Sequence, residues 1–179
     1  NVLLDGYIES SDHSIDWATV DDELHGWFNE RLAATDASVY GRRLFETMNG
    51  YWPTAESDPE ANDVMREFAR IWNAKPKVLV SHSIHEAPPG WLHMSGEPEA
   101  ILAELRRHFS GDIEIGGPTL AAGFIRAGLV DAYQVVVHPV ILGGGKRFFP
   151  DLERPSGLRL IETKAFASGA VYLGYETVR

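Results

Sequence analysis

The sequence predicts a three-layer α/β fold, with a mostly parallel central sheet and an antiparallel hairpin at the C-terminal end. Through the first two thirds of the chain, short apolar runs alternate with segments whose apolar residues repeat at helical spacing. Strands separated by helices pair in parallel, because the chain must cross back before the next strand begins. Two later segments, Gly157 to Phe166 and Ala170 to Val178, follow each other directly around a turn at Ser168-Gly169. A length of 179 residues suits one core, so residues 1–179 are predicted to form a single domain.

The first predicted elements are a helix and a strand-turn-helix unit. Between Asp21 and Leu32, four apolar side chains recur at helical spacing, and the first turn is acidic, as the helix dipole favours. Ala37 to Tyr40 is a short β-prone run, and Gly41 then begins a turn into a second helix. This order is that of a βα unit.

The remaining elements follow from the same patterns. They are strands at Pro76 to Val80, Trp91 to Met94 and Asp112 to Ile115, a helix over Glu97 to Phe109, and a helix from Leu120 that Gly128 ends. The segment Tyr133 to Val137 is a nearly continuous apolar run, which is typical of a strand covered on both faces.

Composition excludes several classes of function. A net charge of −10 opposes binding to nucleic acid and to anionic membranes, and no apolar run approaches the roughly 18 residues of a spanning helix. The chain has no cysteine, which excludes disulfides and thiolate-zinc sites and favours a reducing cytoplasm. His82 and His85 are the closest histidine pair, but nothing nearby completes a ligand set, so no metal site is predicted. We expect a cytoplasmic protein that binds a small-molecule substrate.

Two glycine turns, at Gly41 and at Gly116-Gly117, lie where a predicted strand ends and a helix begins. Strand carboxyl ends and helix N-termini face one crevice in α/β sheets, and glycine lets the backbone approach a phosphate closely. Ordinary strand-to-helix connections use the same residues, so both interpretations remain open.

Arg42 and Arg43 follow the first of these turns, in a chain that is otherwise acidic. A guanidinium at a helix start can hold a phosphate monoester through two hydrogen bonds, each charge-assisted contact contributing about 1.5–3 kcal/mol. This would favour a 2′-phosphorylated dinucleotide. The alternative is a solvated helix start in which an arginine pairs with Glu46.

Five ordered motifs carry a resemblance over nearly the whole chain. They are Leu4-Asp5-Gly6-Tyr7-Ile8, Tyr40-Gly41-Arg42-Arg43-Leu44-Phe45-Glu46, Lys77-Val78-Leu79-Val80-Ser81, Ile113-Glu114-Ile115-Gly116-Gly117-Pro118-Thr119-Leu120, and His138-Pro139-Val140-Ile141-Leu142-Gly143-Gly144-Gly145 with Phe148-Phe149-Pro150 after it. The chain resembles the dihydrofolate reductase-like superfamily, and most closely the C-terminal reductase domain of the bacterial bifunctional riboflavin-biosynthesis deaminase-reductase, the RibD C-terminal domain family. Without cysteine it cannot hold the zinc deaminase module, so a stand-alone reductase domain is expected.

The resemblance implies a bound NADPH and the residues that hold it. Gly41, Arg42, Arg43 and Leu44 match the turn that meets the pyrophosphate and the 2′-phosphate. Ser81, His82 and Ser83 fall where relatives contact the adenosine half. Gly116, Gly117, Pro118, Thr119 and Leu120 would hold the pyrophosphate and the nicotinamide ribose, with a cis linkage between the two glycines. Ile8 matches an apolar residue near the nicotinamide, and the stretch up to Trp17 matches a mobile covering loop.

The sequence indicates the substrate-binding residues less clearly than the cofactor-binding residues. The resemblance implies 5-amino-6-(5-phosphoribosylamino)uracil reductase activity, and dihydrofolate reduction or non-catalytic NADPH binding by a sensor are the alternatives. Glu23 lies near the position of the acid that orients a pterin, yet it is equally a helix-start acid. Asp5 could bind substrate or shape the turn with Gly6. The resemblance also implies a homodimer, with which the apolar content of the last hairpin is compatible.

Overall fold

The computed structural model describes residues 1–179 and divides them into two compact units. The terminal unit contains Asn1–Leu24 and Gly128–Arg179, and the central unit contains His25–Ala127. Parallel and antiparallel strands are both present together with helices, which confirms the predicted α/β class. None of the helices combines the length and the apolar character that crossing a membrane would require.

The elements alternate between strand and helix until the last third of the chain. In chain order they are β1 (Val2–Leu3), β2 (Tyr7–Glu9), α1 (Asp22–Ala34), β3 (Ala37–Gly41), α2 (Arg42–Tyr51), a short 3₁₀ helix (Ala55–Ser57), α3 (Asp63–Ala74), β4 (Lys77–Val80), β5 (Leu92–Met94), α4 (Pro98–His108), β6 (Ile113–Gly116), α5 (Pro118–Arg126), β7 (Ala132–His138), β8 (Lys146–Arg147), β9 (Leu158–Ala165) and β10 (Val171–Thr177).

The central unit contains a four-stranded sheet in the order β5-β4-β3-β6, in which all neighbours are parallel. All four residues of β4 and the first four of β3 are buried, as expected for inner strands covered on both faces. Lys77 is the charged exception: its ammonium donates to the carbonyl oxygens of Trp72, Asn73 and Lys75, at 2.5, 3.3 and 2.8 Å, where α3 ends. This lysine therefore caps the C-terminus of α3.

An aromatic cluster packs against β3 and β4 in the central unit. Trp72 is buried and donates from its indole Nε1 to the hydroxyl oxygen of Tyr40 at 3.0 Å, and Trp91 packs against both rings. The Lys77 ammonium lies 4.5 Å from the centre of the Trp72 ring. Burial raises the pKa of Tyr40 to about 12 and, with help from the charge of Lys75, lowers the pKa of Lys77 to about 8.

The terminal unit contains a second four-stranded sheet, in the order β1-β7-β10-β9. β1 pairs with β7 in parallel, and the other two pairs are antiparallel. The predicted hairpin is confirmed: Phe166 N–H donates to the Ala170 carbonyl, and Gly169, at φ +84°, donates to the Phe166 carbonyl. β2 and β8 form a separate antiparallel pair.

Three details differ from the sequence expectations. The parallel strands and the hairpin belong to separate hydrogen-bonded sheets, because β10 pairs with β7 rather than with β6. β7 is buried only towards its end, at Val135, Val136 and His138, since Ala132 and Gln134 are exposed. Helix α3 was not among the predicted elements, although Asn62 caps it by accepting from the Met65 N–H at 3.0 Å.

Candidate functional site

The structure brings the two glycine turns together within the central unit. β3 and β6 are neighbouring parallel strands, and Tyr40 lies opposite Gly116. Both strands therefore end at the same edge of the sheet, and both are followed at once by a helix. A Cβ atom placed on Gly117 would lie 4.0 Å from the backbone nitrogen of Gly41. The two turns are thus in direct proximity.

Each turn is packed against a leucine from the helix of the other turn. A Cβ atom on Gly116 would lie 2.5 Å from Cδ2 of Leu44, and one on Gly41 would lie 3.2 Å from Cβ of Leu120. Gly117 has φ +92°, which disfavours any residue with a side chain. The positive φ of Gly117 and the close contacts of Gly41 and Gly116 therefore favour glycine in both turns, independently of any ligand.

Both helices begin without a side-chain cap. The N-cap residues of α2 and α5 are Gly41 and Gly117, which supply no side-chain cap, in contrast to α3 with its Asn62 cap. Amide groups of the first turn of a helix point out of its N-terminus and favour an anion there. Two such starts side by side form a cradle that favours an anion.

The arginine pair extends this cradle. Arg42 and Arg43 are exposed in the first turn of α2. Nη1 of Arg42 lies 3.5 Å from Oε1 of Glu46, and both side chains are about half exposed, so this ion pair is weak and can be exchanged for a stronger anion. The first turn of α2 can therefore bind a phosphate monoester.

A third turn follows β4, which lies beside β3 with Val80 opposite Gly41. The buried hydroxyl oxygen of Ser81 accepts from the backbone N–H groups of Ser83 and Ile84, at 3.2 and 2.9 Å. Ser81 therefore shapes the turn, whereas His82 and Ser83 are exposed. All three lie at the strand edge that carries the glycine turns.

The expected cis linkage between Gly116 and Gly117 is wrong for this structure, which contains no cis peptide bond. The chain reverses here through the positive φ of Gly117 instead.

Comparison with known proteins places this geometry in a family. The model of the RibD C-terminal domain matches residues 2–172. The chain belongs to the RibD C-terminal domain family. It is 31% identical over 175 residues to the uncharacterized protein YyaP of Bacillus subtilis (strain 168), covering 97% of this chain and 90% of YyaP. Membership of this family supports a reductase-like role.

Two solved structures show the same fold. A protein from Shewanella sp. PV-4 assigned to riboflavin biosynthesis is similar with a TM-score of 0.75 and 22% identity, over 99% of this chain and 96% of that one. Dihydrofolate reductase from Enterococcus faecalis, in complex with NADP(H), is similar with a TM-score of 0.64 and 18% identity, over 99% and 93% of the two chains. The dihydrofolate reductase-like fold predicted for this RibD C-terminal domain is thereby confirmed.

Asp5, a predicted substrate residue of this RibD-family chain, organises a loop of the terminal unit. Its Oδ2 accepts from the backbone N–H groups of Leu142 and Gly143, at 2.8 and 2.7 Å. The hydrogen bond from Gly143 is the main reason that the pKa of Asp5 is lowered, so this carboxylate stays ionised. These contacts are with the Leu142-Gly143 loop rather than with the turn at Gly6, and substrate binding by Asp5 stays a prediction.

Glu23 and Ile8 also lie in the terminal unit. The Glu23 carboxylate accepts from the Ala167 N–H at 3.1 Å and lies 3.4 Å from the ammonium of Lys164, so it contacts the β9–β10 hairpin. Ile8 is the half-buried middle residue of β2. The predicted roles of both residues with ligand stay predictions.

The expected covering loop has defined local contacts. Ser10 N–H donates to the Ser14 carbonyl at 3.1 Å, and the Trp17 ring packs edge-on against His138 at 5.4 Å. The indole Nε1 of Trp17 is buried without a hydrogen-bond partner. Whether this loop moves stays a prediction.

Sequence reasoning missed the crossed packing of the two leucines. Its signal was present: leucine follows glycine by three residues in both turns, at Gly41 and Leu44 and at Gly117 and Leu120. The third residue of a helix points back over the start of that helix, so the repeated spacing places two leucines on the neighbouring turns.

Proposed function

We propose that this chain is an NADPH-dependent oxidoreductase that transfers hydride to a small polar heterocycle. The observation that carries the proposal is the pair of adjacent helix starts without side-chain caps, one of them with Arg42 and Arg43 in its first turn. Family membership supports the reductase role, and the NADP(H) complex of the structurally similar dihydrofolate reductase supports the cofactor.

The cofactor would be held along the edge where β4, β3 and β6 end. Backbone amides after Gly41 and Gly117 suit the pyrophosphate, together with Pro118, Thr119 and Leu120. The Arg42-Arg43 pair suits the 2′-phosphate, and the exposed His82 and Ser83 suit the adenosine half. When bound, NADPH supplies the hydride.

We propose a pyrimidine as the substrate class, resembling 5-amino-6-(5-phosphoribosylamino)uracil. The similar Shewanella protein is assigned to riboflavin biosynthesis. The alternative of dihydrofolate relies on a free acid on the first helix, and Glu23 is instead held by Lys164 and the Ala167 amide. Glu23 would have to leave these contacts to orient a pterin, so the pyrimidine is the first substrate class to test.

Fluorescence titration with NADPH and NADH tests the cofactor assignment. In Arg43→Ala we expect NADPH binding to weaken about 10-fold to 100-fold, since one charge-assisted contact to the 2′-phosphate is lost, while NADH binding is unchanged. Arg107→Ala is the matched control, because Arg107 is an exposed helix arginine that pairs with Glu104 in α4. Equal loss of both nucleotides, or no loss of either, contradicts the role of the arginine pair.

Steady-state oxidation of NADPH tests the reaction. We expect turnover with the ribosylaminopyrimidine and little with dihydrofolate. Tight NADPH binding without oxidation in the presence of either compound would instead indicate a non-catalytic sensor.

A further inference from the structure

The helix starts of the central unit differ in charge. Helices α3 and α4 carry an acidic residue in the first turn, Asp63 and Glu99, which the positive end of a helix dipole favours. The first turns of α2 and α5 contain no acidic residue, and that of α2 holds Arg42 and Arg43 instead. Two cations at the positive end of a helix are repelled by the dipole and by each other. The start of α2 is therefore stabilised by any anion that neutralises its arginines.

Glu46 supplies such an anion from within the chain. It is the one acidic residue of α2, and it lies a full turn beyond Arg42 on the same side of the helix. Its Oε1 is 3.5 Å from Nη1 of the Arg42 guanidinium. In the absence of a ligand, the carboxylate of Glu46 therefore takes the place at Arg42 that a bound phosphate would take.

Three features make the ion pair of Arg42 and Glu46 easy to replace. Its separation of 3.5 Å exceeds the length of about 2.7–2.9 Å that is typical of a charge-assisted hydrogen bond between a guanidinium and a carboxylate. An acid that precedes a base by four residues stabilises a helix more than the reverse order, and here the arginine comes first. Both side chains are about half exposed, so water screens their attraction. A phosphate can therefore displace the Glu46 carboxylate at small cost.

We propose that Glu46 limits how strongly the chain prefers NADPH over NADH, by occupying Arg42 until a 2′-phosphate replaces it. This inference rests on the proposed function. A phosphate monoester carries up to two negative charges and three acceptor oxygens, so it competes well with a carboxylate for the guanidinium. The displaced carboxylate stays one helical turn away, about 5–6 Å between Cβ atoms, and repels the phosphate. Glu46 therefore lowers the affinity for NADPH and has little effect on NADH, which lacks the 2′-phosphate.

Fluorescence titration of Glu46→Gln with NADPH and NADH tests this role. Glutamine keeps the size of the side chain and removes its charge, so NADPH binding should tighten about 3-fold to 10-fold while NADH binding changes less than about 2-fold. Glu104→Gln is the matched control, because Glu104 is similarly exposed, pairs with Arg107 within α4 and carries the same charge. It should leave both affinities unchanged. Unchanged or weaker NADPH binding in Glu46→Gln, or equal tightening of both nucleotides, overturns the inference.

A double-mutant cycle shows whether Glu46 acts through Arg42. In an Arg42→Ala background the carboxylate has no guanidinium to occupy, so the gain in NADPH affinity from Glu46→Gln should be at least about 2-fold smaller than in the parent. An undiminished gain overturns the inference.

The same titrations distinguish failure of this inference from failure of the proposed function. A parent chain that binds NADPH no more tightly than NADH contradicts the role of the arginine pair, and the inference falls with it. A parent that prefers NADPH, with the same preference in Glu46→Gln, overturns the inference alone.

Discussion

The two four-stranded sheets of this protein differ in how completely they are covered. In the central unit, β3 and β4 are buried almost throughout, and even the ammonium of Lys77 has three carbonyl partners. In the terminal unit, β9 exposes every residue. The inner strands of the first sheet give the glycine turns a fixed support, whereas the edge strand of the second sheet lies open to solvent. Ligand binding is therefore proposed at the sheet whose inner strands are fully packed.

Replacing one leucine in each sheet by alanine should give the largest difference in the free energy of unfolding. Leu79→Ala removes a side chain that is fully buried in β4, and it should lower the free energy of unfolding by about 3–4 kcal/mol. Leu160→Ala should cost less than about 1 kcal/mol, because this side chain is half exposed. Urea denaturation followed by tryptophan fluorescence measures both. Similar costs would mean that β9 is covered within one chain.

Alanine substitutions at Gly143 and Gly145 should lower the free energy of unfolding by different amounts, because only one of these glycines of the terminal unit is closely packed. Gly145 has φ +128°, and a Cβ atom there would overlap the carbonyl oxygen of Glu9. Gly143 has φ +81° with open space around a Cβ atom. Gly145→Ala should therefore cost about 2–3 kcal/mol of unfolding free energy, and Gly143→Ala about 1 kcal/mol. Thermal unfolding of the two variants, compared side by side, is the measurement; equal losses would refute the steric difference.

The pH dependence of stability should report the charge buried in the central sheet. The pKa of Lys77 is about 8 in the folded chain and 10.5 ordinarily, so the unfolded chain binds more protons between these values. The contribution of Lys77 to stability should therefore rise with pH from about 8 to 10.5, by up to about 1.4 kcal/mol per pH unit, and be lowest below pH 8. Denaturation of the parent and of Lys77→Met across this range measures the difference between their slopes. Parallel slopes would show that this ammonium is not desolvated.

Removing an exposed ion pair of the terminal sheet should change the free energy of unfolding least. Nη2 of Arg159 lies 2.6 Å from Oε2 of Glu176 across β9 and β10, and both side chains are largely solvated. Arg159→Gln should cost less than about 1 kcal/mol of unfolding free energy at low salt, and this cost should shrink at 0.5 M NaCl. Denaturation at the two salt concentrations checks this. A loss that persists in salt would mean that this sheet face is covered.

Local signals were sufficient to predict much of the fold. The βα units around Gly41 and Gly116-Gly117, and the hairpin around Gly169, follow from apolar runs and glycine turns that lie within a few residues of each other. Helix α3 was also readable. Its half-buried Phe68 and its buried Ala69 and Trp72 repeat at helical spacing after the cap Asn62, although the sequence analysis did not assign it.

The remaining features depend on contacts between distant residues. Asp5 binds the amides of Leu142 and Gly143, more than 130 residues away, and no local pattern indicates which backbone groups a carboxylate will reach. Likewise, hydrophobic periodicity predicts strands but does not indicate which strands pair, so the pairing of β10 with β7 could not be predicted. In the site, the residue types predicted two glycine turns at strand ends, whereas the crossed packing of Leu44 and Leu120 depends also on β3 and β6 being neighbours.

That crossed packing makes the two turns change as a unit over evolution. A side chain at position 41 would press on Cβ of Leu120, so α5 would have to shift by a few tenths of an ångström, and one at position 116 would displace the end of the Leu44 side chain. Across related sequences, we expect these four positions to covary as two pairs. A cofactor preference altered through one turn would then favour a compensating exchange in the other.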